Sequence, residues 1–264
     1  MLHHIRKLIK FGFSKQKHTK PLDRAGWAEH YNLGSLDLLV RNIREQVFSY
    51  QTKEMLRITQ RGDSVLEIGS GTGETSLCLA LHGRNCTSLD FSAPCLELTR
   101  QAAKVLNCQV ETVLADASMP LPFENKMFDV VFQAGLLEHF ERADRIHLLR
   151  NWSIAGSKKM VSIIPNAGSL AYRVGKALME KDGSWSYGME LPQYTLYQEF
   201  LEAGFCVTHE YTIGESHSMN FLPSSHYLRT ALERWLQENP CEDNCGQGYL
   251  LVTIGEKNGS CSTI

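Results

Sequence analysis

The sequence predicts an α/β fold built on a doubly wound, mostly parallel sheet, and three observations lead to that prediction. Residues 65–68 form a short, mostly apolar run of the length that buried parallel strands have. A glycine-rich turn follows at once, and an apolar helical segment follows the turn. Strand-like and helical segments then alternate as far as residue 254, which is the pattern of strands joined by helical crossovers.

The individual elements follow from apolar periodicity and from the positions of glycine and proline. Residues 23–60 have helical spacing, and further helices are predicted over 94–106, from Leu136 onward, over 195–203 and over 227–237. The predicted strands cover residues 65–68, 86–90, 109–115, 126–135, 159–165, 205–211 and 248–254. Between them, residues 166–192 are predicted to form a long polar and aromatic loop, and loops of that length are usually functional.

The composition is that of an ordinary globular chain of 264 residues with a formal net charge of −2. This balance gives no overall attraction to nucleic acid, and no apolar run reaches the ~20 residues that a membrane span needs. The eight cysteines include no Cys-x-x-Cys pair, and they are expected to be free thiols in a reducing cytoplasm. Cys241 and Cys245 have no histidine pair beside them, so no metal site is expected.

The spacing within the glycine turn distinguishes between two kinds of ligand. Gly69, Gly71 and Gly73 allow a sharp turn, and the helix that follows begins with unpaired N–H groups. A dinucleotide fingerprint would need glycine at position 74, where Glu74 stands and would repel a pyrophosphate. A second carboxylate, Glu67, lies within the end of the strand. A nicotinamide-dependent oxidoreductase is therefore disfavoured.

The motif Glu67-x-Gly69-x-Gly71-x-Gly73 closely resembles motif I of the class I S-adenosylmethionine-dependent methyltransferases. The resemblance implies a Rossmann-like seven-stranded sheet in the order 3-2-1-4-5-7-6, flanked by helices, with the last-threaded strand antiparallel. It also implies S-adenosyl-L-methionine as cofactor and S-adenosyl-L-homocysteine as product, with the glycine turn under the methionine part. Specific motifs carry the resemblance over residues 60–165, and the order of elements alone extends it to 255.

Further motifs at the carboxyl ends of the strands strengthen the resemblance. Asp90 ends the second strand, where a carboxylate would bind ribose hydroxyls, although an Asp at a strand end also often caps a helix. Asp116 precedes a Leu-Pro-Phe turn that resembles the adenine-binding segment of the family, although a solvated turn would suit it as well. Gln133 ends the fourth strand, which should face the transferred methyl group. The full predicted cofactor set is Glu67, Gly69, Ser70, Gly71, Gly73, Asp90, Phe91, Asp116, Ala117 and Gln133.

The acceptor side is predicted from aromatic and histidine residues on either side of these motifs. His30, Trp185 and Tyr187 are expected to line the acceptor pocket, and Tyr31 is a candidate to face the sulfonium. The same aromatic side chains would also serve simply to pack the N-terminal helix and to anchor the 166–192 loop. His139 is the candidate acid–base residue, although Leu-Glu-His is common here in methyltransferases with quite different acceptors.

The chain divides into four predicted segments. They are a basic N-terminal arm over 1–22, a helical cap over 23–60, a methyltransferase domain over 61–255 that includes the acceptor-side insertion 166–192, and a flexible tail over 256–264. The arm has six lysines and arginines and no acidic residue. An arm of this kind makes weak contact with a membrane surface, acts as a transit peptide, or stays frayed.

Together these residues predict a cytoplasmic enzyme that transfers a methyl group from S-adenosyl-L-methionine to a small-molecule acceptor by direct displacement. The sequence has no basic nucleic-acid face and no added substrate domain. Two alternatives stay open: a methyltransferase that acts on protein or RNA, and a protein of the same fold that binds the cofactor without catalysis. The acceptor atom also stays open, because an activated donor needs no base unless the acceptor arrives protonated.

Overall fold

A computed structural model describes residues 26–27, 35–123, 128–155, 158–239 and 246–257 of the chain. The predicted basic arm over 1–22, with its expected membrane-surface contact, lies outside these residues. Two predicted site residues, His30 and Tyr31, also lie outside them, as does the tail beyond residue 257. Within the described part, no helix is both long and apolar enough to cross a membrane.

Strands and helices alternate along the described chain. The strands are β1 (Ser64–Ile68), β2 (Asn85–Asp90), β3 (Val110–Leu114), β4 (Val130–Ala134), β5 (Lys159–Pro165), β6 (Cys206–Ile213) and β7 (Leu250–Glu256). The helices are α1 (Leu36–Arg44), α2 (Tyr50–Ile58), α3 (Glu74–Leu81), α4 (Ala93–Leu106), α5 (Arg142–Ser153), α6 (Leu170–Asp182), α7 (Tyr197–Glu202), α8 (Glu215–Ser218) and α9 (Tyr227–Glu238).

The strands form one seven-stranded sheet in the order β3-β2-β1-β4-β5-β7-β6. Strands β1 to β5 pair in parallel, and β7 pairs antiparallel with both β5 and β6. The predicted fold class, the strand order and the single reversed strand are confirmed. Because the strand order reverses between β1 and β4, the carboxyl ends of these two strands form the crevice in which α/β proteins bind ligands.

Both faces of the sheet are covered, as strands with apolar residues on both faces require. Leu66 and Ile68 of β1 belong to one apolar cluster, together with Trp152 of α5. Val65 points to the opposite face and packs in a second cluster with Met55 of α2. A third cluster joins α1 to α3 and α4. A site can therefore form at the end of the sheet where the carboxyl ends of the parallel strands lie.

Two segments differ from their predicted structure. The helix expected from Leu136 begins as a short 3-10 turn at Leu137–His139, and α5 starts only at Arg142. The segment 166–192, expected as a loop, contains the 13-residue helix α6. Buried Tyr172 and Gly175 lie three residues apart on that helix, but an aromatic residue and a glycine are weak helix formers and conceal the helical spacing.

The described cysteines are not all alike. Cys78, Cys86, Cys95 and Cys108 are free, as expected, and burial raises the pKa of all four thiols. Cys206 is disulfide-bonded, so the expectation of free thiols is wrong at this position. Cysteine spacing in a sequence carries no information on whether two Cβ atoms come within the short distance that a disulfide needs.

Candidate functional site

The glycine turn between β1 and α3 has a left-handed backbone at each of its three glycines. The φ angles are +69° at Gly69, +52° at Gly71 and +71° at Gly73. At Gly73 a Cβ would also lie 2.4 Å from Oγ1 of Thr99 on α4, so no side chain fits there. Ser70, within the turn, has a buried hydroxyl without a hydrogen-bond partner among the described residues. The turn therefore suits glycine alone and leaves a hydroxyl to be satisfied.

Glu67 is the buried carboxyl group that ties the glycine turn to the helix behind it. One of its oxygens accepts the backbone N–H of Ser76 at 3.0 Å and the hydroxyl of Ser76 at 2.5 Å. Ser76 lies in the first turn of α3, where backbone N–H groups have no partner within the helix. Burial raises the pKa of Glu67 to about 8. Through these bonds Glu67 positions the start of α3.

Asp90 ends β2 and joins this strand to the glycine turn. Its Oδ2 accepts the N–H of Gly71 at 2.8 Å, and its Oδ1 accepts the N–H of Ser92 at 2.8 Å. The side chain is buried, and burial raises its pKa. Since a carboxylate oxygen accepts more than one hydrogen bond, both oxygens retain capacity for hydroxyl donors in the crevice.

Asp116 and Ala117 lie just beyond β3, in a turn with internal contacts. Oδ1 of Asp116 accepts the backbone N–H and the hydroxyl of Ser118 at 2.9 and 2.7 Å. The carbonyl oxygen of Ala117 accepts the indole N–H of Trp152 at 2.9 Å. Phe91 is partly buried directly after Asp90. The contacts of Asp116 suit the turn-stabilising alternative as well as adenine binding, so its cofactor role stays a prediction.

Gln133 is fully buried, and its side-chain amide is bonded within the protein. Oε1 accepts the N–H groups of Leu136 and its successor at 2.9 and 3.3 Å, and Nε2 donates to the hydroxyl of Ser162 at 2.6 Å. These bonds fold the chain into the 3-10 turn after β4 and tie that turn to β5. Gln133 thereby shapes the floor of the crevice, which Ala134 and Gly135 line.

A cavity of about 180 Å³ lies at the carboxyl ends of β4 and β5, beside Ala134 and Pro165. We call it the acceptor-side cavity. Its walls combine aromatic rings with acidic and imidazole side chains, and these are Trp27, Glu138, His139, Tyr187, Glu190 and Tyr249. The cavity therefore has both an apolar surface and several hydrogen-bond acceptors.

Two residues predicted for the acceptor side, His139 and Tyr187, line the acceptor-side cavity. Nδ1 of His139 lies 2.8 Å from the carbonyl oxygen of Met189, and the ring of Trp27 packs against it edge-on at 4.8 Å between centroids. Trp185 is buried and donates its indole N–H to a backbone carbonyl oxygen three residues further on, at 3.0 Å. Trp185 does not line the cavity, and its contacts favour the loop-anchoring alternative.

Glu138, Glu190 and Tyr249 line the cavity with little or no signal in the sequence. Glu190 comes from the segment after α6, and Tyr249 immediately precedes β7, so only the folded sheet brings them beside the end of β4. Glu138 precedes His139 in Leu-Glu-His, and that motif is the one signal for it.

Glu138 and Glu190 form an acidic pair in the cavity wall. Burial raises the pKa of Glu138, and the charge of Glu190 raises it further. Burial also raises the pKa of Glu190, whose Oε2 accepts the hydroxyl of Tyr172 at 2.5 Å. Glu138 is only 2% exposed, and its Oε2 has no hydrogen-bond partner in the described part of the chain. This oxygen is an acceptor without a donor.

The comparison with known protein families finds a match in the central part of the chain. Residues 65–155 match a family model described as a methyltransferase domain. A demethylmenaquinone methyltransferase from Clavibacter sepedonicus is 39% identical over 70 residues, which make up 26% of this chain and 28% of that protein. The match thus spans little more than a quarter of that relative's length.

Two solved structures are similar to almost the whole fold. A SAM-dependent methyltransferase from Thermotoga maritima has a TM-score of 0.59 at 17% identity and covers 88% of this chain and 99% of its own. Magnesium protoporphyrin IX methyltransferase from Synechocystis PCC 6803, with bound SAH, has a TM-score of 0.52 at 14% identity, covering 97% and 93%. At such low identities the likeness shows a shared fold.

Proposed function

Because the chain carries a class I methyltransferase domain, we propose that it is an enzyme that transfers a methyl group from S-adenosyl-L-methionine to a small-molecule acceptor. One observation carries this proposal. The three left-handed glycines of the turn are joined by buried carboxyl groups to α3 on one side and to β2 on the other. This arrangement suits the predicted cofactor contacts of Gly69, Gly71, Gly73 and Asp90.

The chemistry of the crevice suits this cofactor better than a dinucleotide. Asp90 accepts the N–H of Gly71 within the turn, and a carboxyl group at this place disfavours a pyrophosphate and favours a cationic sulfonium. Asp90 has acceptor capacity for ribose hydroxyls, and the hydroxyl of Ser70 has capacity for a further bond. When bound, S-adenosyl-L-methionine supplies a methyl group already activated on positive sulfur.

The protein's own contribution is then to align the acceptor and to exclude water. The acceptor-side cavity lies at the same edge of the sheet as the glycine turn, and its volume of about 180 Å³ suits a small molecule. Ala134 and Gly135 form the side of the cavity at the end of β4. His139 is the candidate base for an acceptor that arrives protonated.

The first test is calorimetric titration of the purified protein with S-adenosyl-L-methionine and, in parallel, with NADH. We expect micromolar binding of the methyl donor and no binding of NADH. Absence of donor binding, in a folded sample free of copurified product, would contradict the proposal. The same result would exclude a protein that binds the cofactor without catalysis. Donor binding without any transfer of labelled methyl to cell extract would instead support that non-catalytic alternative.

A matched pair of variants tests the role of Asp90. Asp90→Ala removes the acceptor for ribose hydroxyls and is expected to weaken cofactor binding by about 1.5–3 kcal/mol for each charged hydrogen bond lost. Asp63→Ala removes a carboxylate at the opposite edge of the sheet, directly before β1, and should leave cofactor affinity unchanged. Equal affinities of the two variants would remove Asp90 from the proposed site.

A further inference from the structure

The acceptor-side cavity holds a cluster of hydrogen-bond acceptors. One acceptor atom each of Glu138, His139 and Glu190 lie within 4.8 Å of one another. Oε2 of Glu138 is buried, and it has no hydrogen-bond partner within the residues that the structure describes. A buried carboxylate oxygen without a donor is costly, so this cluster is better satisfied by a ligand that brings hydrogen-bond donors.

The tautomer of His139 adds an acceptor nitrogen to this cluster. Its Nδ1 lies 2.8 Å from the carbonyl oxygen of Met189, which only accepts, so Nδ1 carries the proton of the neutral ring. Nε2 is then the acceptor nitrogen, and it lies 4.0 Å from Oε1 of Glu138. Glu190 receives one donor, the hydroxyl of Tyr172, on its Oε2. The three residues therefore present acceptors on neighbouring sides of one space.

The surroundings of the cluster favour a positive charge. The aromatic side chains of Trp27, Tyr187 and Tyr249 form part of the cavity wall, and aromatic faces attract cations. The charge of Lys176 acts on Glu190, but its ammonium group pairs with Glu180 and lies 4.9 Å from the ring centroid of Trp185. Lys176 does not line the cavity, and the described residues that do line it include no lysine or arginine.

We propose that the methyl acceptor of this enzyme is an amine, bound as an ammonium ion between Glu138, Glu190 and His139; this inference rests on the proposed function. An ammonium group offers up to three N–H donors, and its positive charge favours the ionised form of the two neighbouring carboxyl groups. An alcohol or a phenol offers one donor and no charge, and would leave acceptors of the cluster unsatisfied.

The spacing of the acceptor atoms suits an ammonium ion, and a metal ion sets narrower limits on that spacing. Charged N–H···O bonds are about 2.7–2.9 Å long, so two acceptors around one nitrogen can lie more than 5 Å apart. Ligands of Mg²⁺ or Zn²⁺ lie about 2.0–2.2 Å from the ion, and hence at most about 4.4 Å from one another. Acceptor atoms that all lie within 4.8 Å of one another can therefore bond to a single ammonium nitrogen. Ca²⁺ would fit this spacing but needs six to eight oxygen ligands.

The same residues account for the proton that must leave before transfer. The bound ammonium ion gives one proton to Nε2 of His139 and becomes a neutral amine with a lone pair. The nitrogen then bonds to the methyl carbon while the carbon–sulfur bond breaks, and its electron pair stays on sulfur as a neutral thioether. The methylated product carries the positive charge that the sulfur has lost, so Glu138 and Glu190 stabilise substrate and product alike.

The test compares an amine with an alcohol of the same carbon skeleton. The full chain, saturated with S-adenosyl-L-homocysteine, is titrated with 2-phenylethylamine and with 2-phenylethanol, and methylamine and tryptamine extend the range of sizes. We expect at least one amine to bind, and 2-phenylethylamine to bind at least tenfold more tightly than 2-phenylethanol. Equal binding of the two, or no binding of any amine by a protein that binds S-adenosyl-L-methionine, would overturn the inference and leave the proposed function standing.

Two variants, each of which replaces one glutamate by glutamine, complete the test. Glu138→Gln keeps the shape of the side chain, and we expect it to weaken amine binding at least tenfold while cofactor affinity stays within twofold. Glu238→Gln removes an exposed carboxylate at the end of α9, outside the cavity, and should change neither. Unchanged amine binding in Glu138→Gln, or displacement of the amine by micromolar Mg²⁺, would overturn the inference. Failure of the unaltered chain to bind S-adenosyl-L-methionine would instead contradict the proposed function.

Discussion

Glu67 shows how a single buried carboxyl group couples the stability of the site to pH. Its pKa is about 8 in the folded chain, against an ordinary value of 4.5. Between these two pH values the folded state holds a proton that the unfolded state has lost. The contribution of Glu67 to the free energy of unfolding therefore falls as the pH rises through this range, because stability decreases with pH wherever the folded state binds more protons.

The variant Glu67→Gln is expected to lose this pH dependence, since its amide does not titrate. Urea unfolding at several values between pH 5 and pH 8 gives the free energy of unfolding of both proteins. The stability of the unaltered protein relative to the variant should decline with pH, by at most about 1.4 kcal/mol per pH unit. A difference that stays constant across this range would show that Glu67 does not titrate there.

Two separate constraints require glycine at position 73: a left-handed backbone and the lack of space for a Cβ. A comparison with Gly183 distinguishes their effects. Gly183, which ends α6, has φ +78°, and a Cβ added there would have no described atom within 4 Å. Gly73 has φ +71°, and its added Cβ would lie 2.4 Å from Thr99. Gly183→Ala should therefore cost only the left-handed strain of about 1–2 kcal/mol. Gly73→Ala should cost about 1–3 kcal/mol more, because the added methyl group overpacks against Thr99.

Urea unfolding of both alanine variants measures this difference directly. Thr99 is fully buried, and its hydroxyl donates to the carbonyl oxygen of Cys95 at 3.0 Å, so it cannot move aside without loss of that bond. Equal losses of stability in the two variants would mean that α4 shifts to accept the methyl group. The double change Gly73→Ala with Thr99→Ala should recover part of the loss.

At the scale of elements, helix α6 contains a glycine at which tertiary packing and intrinsic helix propensity favour different residues. Gly175 lies within α6, where alanine is ordinarily favoured by about 1 kcal/mol. A Cβ at this position would lie 2.4 Å from the backbone carbonyl oxygen of Phe221, in the 3-10 turn Met219–Phe221 that packs on α6. Because backbone atoms cannot rotate away, we expect Gly175→Ala to destabilise the protein.

A change of opposite direction in the same helix provides the control. Ala177 is exposed, so Ala177→Gly should lose only the helix preference, about 1 kcal/mol. Urea unfolding would then show both variants to be less stable than the unaltered protein. A gain of stability in Gly175→Ala would mean that the contact between α6 and the 3-10 turn is loose.

Local patterns predict the strands and most helices of this chain, and they fail where structure depends on distant contacts. Strand β5 begins and ends at the predicted residues, because a lysine and a proline bound its apolar run. The 3-10 turn after β4 was not predictable, since the buried amide of Gln133 folds it through bonds that no periodicity reveals. Helix α6 was obscured by Gly175, which is required by a contact some 46 positions further along.

At the scale of the whole molecule, the candidate site is divided between what one segment encodes and what only the sheet assembles. The glycine turn, Glu67 and Asp90 are local motifs at strand ends, so sequence alone indicates them. The acceptor-side cavity draws on Trp27, Glu138, Glu190 and Tyr249, which lie far apart along the chain. Only the order of strands, with β4 beside β5 and β5 beside β7, brings these side chains together.

A ligand that contacts such distant segments binds only the folded chain and not the unfolded chain. It should therefore stabilise the whole molecule. At one hundred times its dissociation constant, S-adenosyl-L-methionine is expected to raise the free energy of unfolding by about 2.7 kcal/mol. Urea unfolding with and without the cofactor measures this gain, and NADH at the same concentration should give none. Asp90→Ala, compared with its own cofactor-free state, should lose most of the gain, while Asp63→Ala should keep it. An unchanged urea midpoint at saturating cofactor would contradict binding at the glycine turn.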